Sequence, residues 1–174
     1  MIFYSDGMVL IRSMTEADVK VLADGEIAQG WGDTSEKHKM RLRDQAAGLC
    51  TPLVAEYGGQ TAGYISVYRQ AANGPFAGKG WPELVDFGVL EKFRGHGVGG
   101  KLMDAAERIA GEESSVAGVG VGLHSGYGSA QRMYIKRGYV PDGSGVWYRD
   151  EVCPPYGDCC NNDELVLYLS KKLR

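Results

Sequence analysis

Val89-Leu90-Glu91-Lys92-Phe93-Arg94-Gly95-His96-Gly97-Val98-Gly99-Gly100-Lys101 joins a strand pattern to a helix pattern, with four glycines between residues 95 and 100. Upstream, Glu83 to Leu90 reads as a strand. Downstream, Val98, Leu102, Ala105, Ala106 and Ile109 recur at i, i+4, i+7, i+8 and i+11, one apolar helical face that leaves Lys101, Asp104 and Arg108 off it. The glycines therefore sit at a helix N-terminus. The first helical N–H groups have no intrahelical partner there, and the helix dipole adds about half a positive charge, so phosphate is the natural guest. Side chains at Gly95, Gly97 or Gly99 would hold a diphosphate away from the backbone donors.

Two phosphate-binding spellings on these residues fail on their surroundings. Gly95-x-Gly97-x-x-Gly100 spells the dinucleotide fingerprint, which needs an Asp or Glu for the ribose about 20 residues on, and Val119 to His124 supplies none. Gly95-x-x-x-x-Gly100-Lys101 spells most of a nucleoside-triphosphate loop, but Leu102 stands where a Ser or Thr must hold magnesium. A third spelling, R/Q-x-x-G-x-G/A, is met by Arg94, Gly97 and Gly99.

Working outward, Met8 to Arg12 reads as a strand, and Ser13-Met14-Thr15-Glu16 has the spacing of a capping box. A first helix should begin there and keep its apolar spacing through Ala17, Val21 and Leu22 as far as Gly25. Residues 24–37, with Gly30-Trp31-Gly32, read as a loop leading to a second helix over 35–47. Leu53 to Tyr57 and Ala62 to Tyr68 flank Gly58-Gly59 as a hairpin. Beyond the glycine loop, Val116 to Leu123 alternates Val with Gly as a narrow strand, and Ala130, Met133, Tyr134 and Arg137 mark a helix ended by Gly138. Val146 to Tyr148 and Leu165 to Leu169 read as closing strands around an irregular loop, Arg149 to Asp163. The order is that of a mixed α/β or α+β fold, a sheet covered by helices.

A length of 174 residues predicts one domain, and 44% hydrophobic with 24% charged residues excludes disorder as the default. The apolar stretches fall short of the roughly 18 residues that span a bilayer, and the first residues lack a basic start before an apolar run, so a cytoplasmic protein without a membrane partner is the expectation. Nineteen basic against 22 acidic side chains leave a net charge of −3, with no basic block, which argues against nucleic acid as a partner. Cys50, Cys153, Cys159 and Cys160 have no C-x-x-C spacing, so free thiols are expected rather than a metal site.

The third spelling, with its neighbours, resembles the GCN5-related N-acetyltransferases (GNAT). Val89 stands five residues before Arg94 at a strand end, and Ala130-x-x-x-Tyr134-x-x-x-Gly138-Tyr139 is similar to a second family element. The resemblance covers essentially the whole chain, 1–174. It implies a central, mostly antiparallel mixed sheet of about six to seven strands flanked by about four helices. It further implies acetyl-CoA as co-substrate, with no metal. The pyrophosphate would lie on the amides of the loop Arg94, Gly95, His96, Gly97, Val98, Gly99 and Gly100, and the pantetheine arm would pair beside Phe87, Gly88 and Val89. Dimerisation is common in similar proteins.

Acetyl transfer to an amine needs a neutral nucleophile, and a lysine-like amine near pKa 10.4 is about 3.4 units from that at pH 7, a cost of about 4.6 kcal/mol. Glu83 and Asp86 are the carboxylates nearest the implied thioester; either could take the proton, directly or through water. Glu83 matches the position of the base in some family members, and relatives also place an acid at the position of Asp86. Tyr134 matches the family's general-acid tyrosine, which returns a proton to the leaving thiolate. The Val89 N–H is the expected oxyanion donor, and His124 ends a strand where it could relay protons. Where many relatives carry Asn, this chain has Tyr127.

Acceptor choice in similar folds lies in the two segments around residues 24–37 and 149–163. Asp24, Glu26, Asp33, Asp150, Glu151, Asp158 and Asp163, among Trp31, Trp147, Tyr148 and Tyr156, suit a small cationic amine such as a polyamine, an aminoglycoside or a streptothricin-type compound. Acetylation of a protein lysine or N-terminus, and a non-catalytic acetyl-CoA sensor, are the alternative readings.

Overall fold

Gly63 decides how two neighbouring strands meet. A Cβ on it would lie 2.6 Å from the carbonyl oxygen of Gly88 and 3.2 Å from the Cα of Val89, so the two backbones approach as only glycine allows. A computed structural model describes residues 1–173 of the chain. It divides into two units, residues 1–68 with 84–109, and residues 69–83 with 110 onward. It contains four helices and nine strands among the described residues, two or three strands more than the sequence predicts.

The first unit holds β1 (Ile2–Ser5), β2 (Val9–Ser13), α1 (Glu16–Ala28), α2 (Ser35–Ala46), β3 (Cys50–Tyr57), β4 (Gln60–Tyr68), nearly all of β5 (Glu83–Val89) and the first turns of α3 (Val98–Glu113). Strand order is β1-β2-β3-β4-β5, and β1 to β4 pair antiparallel, with Ile11 opposite Ala55 and Ala55 opposite Gly63. Ile11, Leu53, Val54, Ile65 and Leu102 are buried to the last few square ångströms, and Met14, Leu22, Val54 and Tyr64 form an apolar cluster against which Leu42 of α2 packs.

Helix α1 differs from its expected outline at both ends. It is capped two residues later than the sequence spacing suggests: Asp18 accepts from the N–H and Oγ1 of Thr15, each at 2.8 Å, while Ser13 ends β2. Arg12 fixes this start, reaching both oxygens of Asp18 at 2.7 Å and Glu56 of β3 at 2.7 Å. At the other end, the helix runs through Gly25 to Ala28. Gly25 does not terminate it; a Cβ there would meet Leu90 at 2.8 Å, so this glycine makes room for a neighbour.

The second unit holds β6 (Val116–Gly122), α4 (Gly128–Lys136), β7 (Val140–Tyr148), β8 (Glu151–Val152) and β9 (Leu165–Lys172), in the order β6-β9-β7-β8 with antiparallel pairs throughout. The Val-Gly alternation of β6 has a packing reason. Side chains at Gly118 and Gly122 would collide with Phe76 and Tyr127, and one at Gly120 would lie 2.9 Å from Val166. Phe76, Tyr168 and Ala71 form the core of this unit, with Trp81 and Trp147 against them. Strand β7 begins six residues before its predicted start and shifts register against β9 between Pro141 and Val146, where Gly143 and Gly145 take positive φ. The expected loop after Tyr148 starts instead with a tight turn at Arg149 and Asp150, both at positive φ, and then β8. No helix among the described residues is long and apolar enough to cross a membrane.

Gly63→Ala is expected to lower the unfolding free energy by about 1–3 kcal/mol, because the new methyl meets backbone atoms that cannot swing away. Thermal unfolding of the purified variant checks this, and an unchanged midpoint would show that β4 and β5 can separate freely.

Candidate active site

The glycine loop is built by a strand end, a single 3-10 turn and a helix start. Leu90 ends β5 by donating its N–H to Ala62 at 2.9 Å, and Glu91–Phe93 form the turn, with Phe93 buried. Gly95 and Gly97 both take φ near +80°, which carries the chain round into α3. Lys101 makes a bond to the Gly97 carbonyl at 3.1 Å, leaving the N–H groups of Val98, Gly99 and Gly100 ahead of it without an intrahelical carbonyl. A Cβ at Gly99 would lie 3.1 Å from the Phe87 ring and 3.5 Å from Val89, so α3 starts directly against β5.

Side chains stiffen the loop. The Nε–H of Arg94 donates to the Val89 carbonyl at 3.2 Å, and its guanidinium faces Trp31 of the α1–α2 connection at 6.0 Å. The Nδ1 of His96 bonds the Arg94 carbonyl at 2.9 Å, with its ring 4.9 Å from that of Tyr57. Thus Phe87, Gly88, Val89 and the residues from Arg94 to Gly100, all expected at one cofactor site, lie together in the first unit.

Along β5, Phe87 and Val89 point towards α3, whereas Asp86 and Gly88 point the other way. A Cβ at Gly88 would lie 2.8 Å from the phenol of Tyr64. Asp86 takes φ +54° inside the strand, a left-handed conformation that costs a non-glycine residue about 1–3 kcal/mol. Its Oδ2 accepts from the Nε–H of Arg41 on α2 at 2.5 Å. Arg41 is braced in turn: it donates to the Tyr68 hydroxyl at 2.5 Å and lies 3.7 Å from Asp44, which itself accepts from Tyr68.

A second polar cluster went unseen in the sequence as a site. Glu26 is wholly buried in α1, not in the loop that follows, and its carboxylate accepts from Thr34, His38 and Tyr64. Lys37 lies 3.7 Å from it and donates to the Tyr64 hydroxyl at 2.9 Å. Burial acts to raise the Glu26 pKa, but the bonds from His38, Thr34 and Tyr64 outweigh it and hold the carboxyl down at about 2. The signal was periodicity. Val19, Leu22, Ala23 and Glu26 follow i, i+3, i+4 and i+7, so Glu26 falls on the buried stripe of its helix.

In the second unit, Tyr134 lies on α4, buried, with its ring 5.7 Å from that of Tyr139, and burial pushes its phenol well above the usual range. It is therefore neutral, proton in place, at pH 7. His124 accepts the Gly126 N–H on Nδ1 at 3.1 Å, so its Nε2 carries the hydrogen that meets Asp163 at 2.9 Å. Tyr127 donates to the same carboxylate at 2.9 Å.

A cavity of about 190 Å³ in this unit is lined by Trp147, Arg149, Asp150, Asp163, Glu164, Val166 and Tyr168. Burial raises the Tyr168 phenol to about 12, helped by the negative charges of Glu83, Asp150 and Asp142. Glu83, at the start of β5, thus acts electrostatically on the wall of this cavity. All four cysteines are free, and no group of three or more metal-binding side chains occurs among the described residues.

Residues 21–139 match the model of the Acetyltransferase (GNAT) family. No curated protein matches. Among solved structures, a ribosomal-protein-alanine N-acetyltransferase from Brucella melitensis has a TM-score of 0.66 at 24% identity, covering 94% of this chain and 99% of its own. The Salmonella typhimurium acetyltransferase that modifies the N-terminal serine of ribosomal protein L7/L12 has a TM-score of 0.72 at 12% identity, covering 99% of each chain. The Salmonella typhimurium protein yncA, solved with its cofactor acetyl-CoA, has a TM-score of 0.65 at 19% identity, covering 97% of this chain and 95% of its own. At these identities the likeness is one of fold.

Glu26 is linked to pH with a definite sign. Its folded-state pKa of about 2 lies below the ordinary 4.5, so its stabilisation is complete above that ordinary value and is lost as pH falls through about 2. Glu26→Gln is expected to lower the unfolding free energy by roughly 3 kcal/mol at pH 7 and by less at pH 3. Urea unfolding at pH 3, 5 and 7 measures this, and an equal loss at every pH would rule out the carboxylate charge as the cause.

Proposed function

The chain belongs to the GNAT family of acetyltransferases, and from that premise we propose that residues 1–174 act as one catalytic domain transferring acetyl from acetyl-CoA to a primary amine of a small cationic molecule. The observation that carries the acceptor is the cavity in which Asp150, Asp163 and Glu164, the last paired with Arg149, stand beside Trp147 and Tyr168. Carboxylates attract an ammonium group, and aromatic faces hold it once its water is shed.

The loop fits a diphosphate. Three amides lead α3, glycine at 99 keeps side-chain bulk away from β5, and glycines at 95 and 97 supply the backbone turn. Val98, Gly99 and Gly100 would hold the pyrophosphate, and Phe87, Gly88 and Val89 the pantetheine arm. Acetyl-CoA supplies an activated carbonyl; the amine nitrogen bonds to it as the carbon–sulfur bond breaks. Glu83 takes the ammonium proton and Tyr134 gives one to the departing thiolate. Tyr134 is neutral at pH 7 and so carries the proton that this role requires.

Several structural neighbours acetylate ribosomal proteins. Their low identity makes peptide N-termini an arm of the test. Calorimetric titration with acetyl-CoA, followed by thiol-release assays against polyamines, aminoglycosides, lysine peptides and N-terminal peptides, is expected to give binding and release on a small polycation. Release on peptides alone would move the acceptor to proteins, and binding without any release would favour a sensor. Glu83→Gln is expected to lower kcat by about 10²–10⁴-fold and abolish its acid limb. Tyr134→Phe should bind acetyl-CoA normally and turn over slowly; full turnover would remove Tyr134 from the mechanism.

A further inference from the structure

Asp86 combines two features: a left-handed backbone in the middle of a strand, and a carboxylate held by a braced cation. Aspartate tolerates this conformation better than most residues, but glycine would adopt it at no cost. A carboxylate at this position is therefore explained by what it binds. Its partner is Arg41 of α2, whose Nε–H reaches it at 2.5 Å while a terminal nitrogen of the same guanidinium donates to Tyr68 at 2.5 Å. Tyr68 of β4 also donates to Asp44 of α2. The side chains of Arg41 and Asp86 are only 16% and 21% exposed.

We infer that Asp86 serves the reaction as a positioning residue, clamped by Arg41 so that the turned backbone of β5 is kept, and does not take the acceptor's proton. The residues that follow it, Phe87, Gly88 and Val89, are those assigned above to the pantetheine arm, and the φ of Asp86 sets the direction in which their peptide groups point. One oxygen of Asp86 is already filled by a guanidinium N–H, and a proton taken by the carboxylate would remove the charge that holds Arg41. The kinetic part of this inference rests on the acetyl transfer proposed above; the clamp itself does not.

Three substitutions separate the roles. Asp86→Asn keeps an acceptor for Arg41 and tolerates positive φ, Asp86→Gly keeps only the backbone freedom, and Asp86→Ala keeps neither. With a reactive amine, Asp86→Asn is expected to stay within about threefold of wild-type kcat with an unmoved pH profile, whereas loss of a general base would cost about 10²–10⁴-fold. Asp86→Ala is expected to lose about tenfold to a hundredfold in kcat, the scale of a misplaced reacting group. Asp86→Gly should recover part of that loss, and Arg41→Gln should resemble Asp86→Ala in kcat while leaving the acid limb of the profile in place.

A hundredfold loss in Asp86→Asn with disappearance of the acid limb would overturn the inference in favour of a base. So would an Asp86→Ala enzyme of wild-type kcat. Melting temperatures supply a readout that needs no substrate: Asp86→Gly is expected to melt above Asp86→Ala. If wild-type protein fails to bind acetyl-CoA, the proposed function falls, while this ordering still tests the clamp; the reverse ordering would overturn it.

Discussion

The close approach of β4, β5 and α3 is the constraint on which the first unit depends. Gly63 admits the backbone of β5, Gly88 admits the ring of Tyr64, and Gly99 admits Phe87. Each contact replaces a missing side chain with another element. The consequences propagate: Tyr64 can lie over Gly88 only because no Cβ is there, and from that position its hydroxyl reaches Glu26. Glu26 then gathers Thr34 and His38, which fixes the end of the α1–α2 connection and the start of α2. A buried carboxylate with three donors is stable where one with a single donor would not be. The polar hub and the glycine contacts are thus parts of one packing solution.

Much of this was legible in the sequence, and the reason is periodicity. Helix α3 has an unbroken apolar face, the hairpin of β3 and β4 surrounds a glycine turn, and the loop at Arg94 to Gly100 has a spelling that composition alone would not produce. The elements missed were those without such a signal. Strand β1 is four residues long and β8 two, too short to show alternation. Gly25 reads as a helix stop because a contact with Leu90 leaves the same trace in sequence as a terminus. The spacing of Ser13 and Glu16 places the cap at Ser13, whereas tertiary bonds from Arg12 to Asp18 favour Thr15.

The candidate site was legible in its loop and less so in its carboxylates. Sequence spacing names Glu83 and Asp86 equally, since both stand near the implied thioester. Their surroundings differ: Glu83 acts on Tyr168 at the acidic cavity, whereas Asp86 is bound to Arg41, 45 residues away in the chain. Glu26 appears in sequence as one more acid near a loop. What distinguishes it is the company of His38 and Tyr64, which no local pattern announces.

Helix α2 is attached to the sheet in an unusual way. Only His38 is buried in it, and besides the contacts of His38 and Leu42 with Tyr64 its hold on β4 includes two matched stations four residues apart: Lys37 lies over Tyr64 at 4.7 Å and Arg41 over Tyr68 at 5.1 Å. Detaching such a helix exposes little hydrocarbon to water. Its release would carry a small heat-capacity change and a weak dependence on urea. Amide hydrogens of α2 would then exchange through local openings that denaturant scarcely affects, whereas those of β3 and β4 would exchange only with the whole fold.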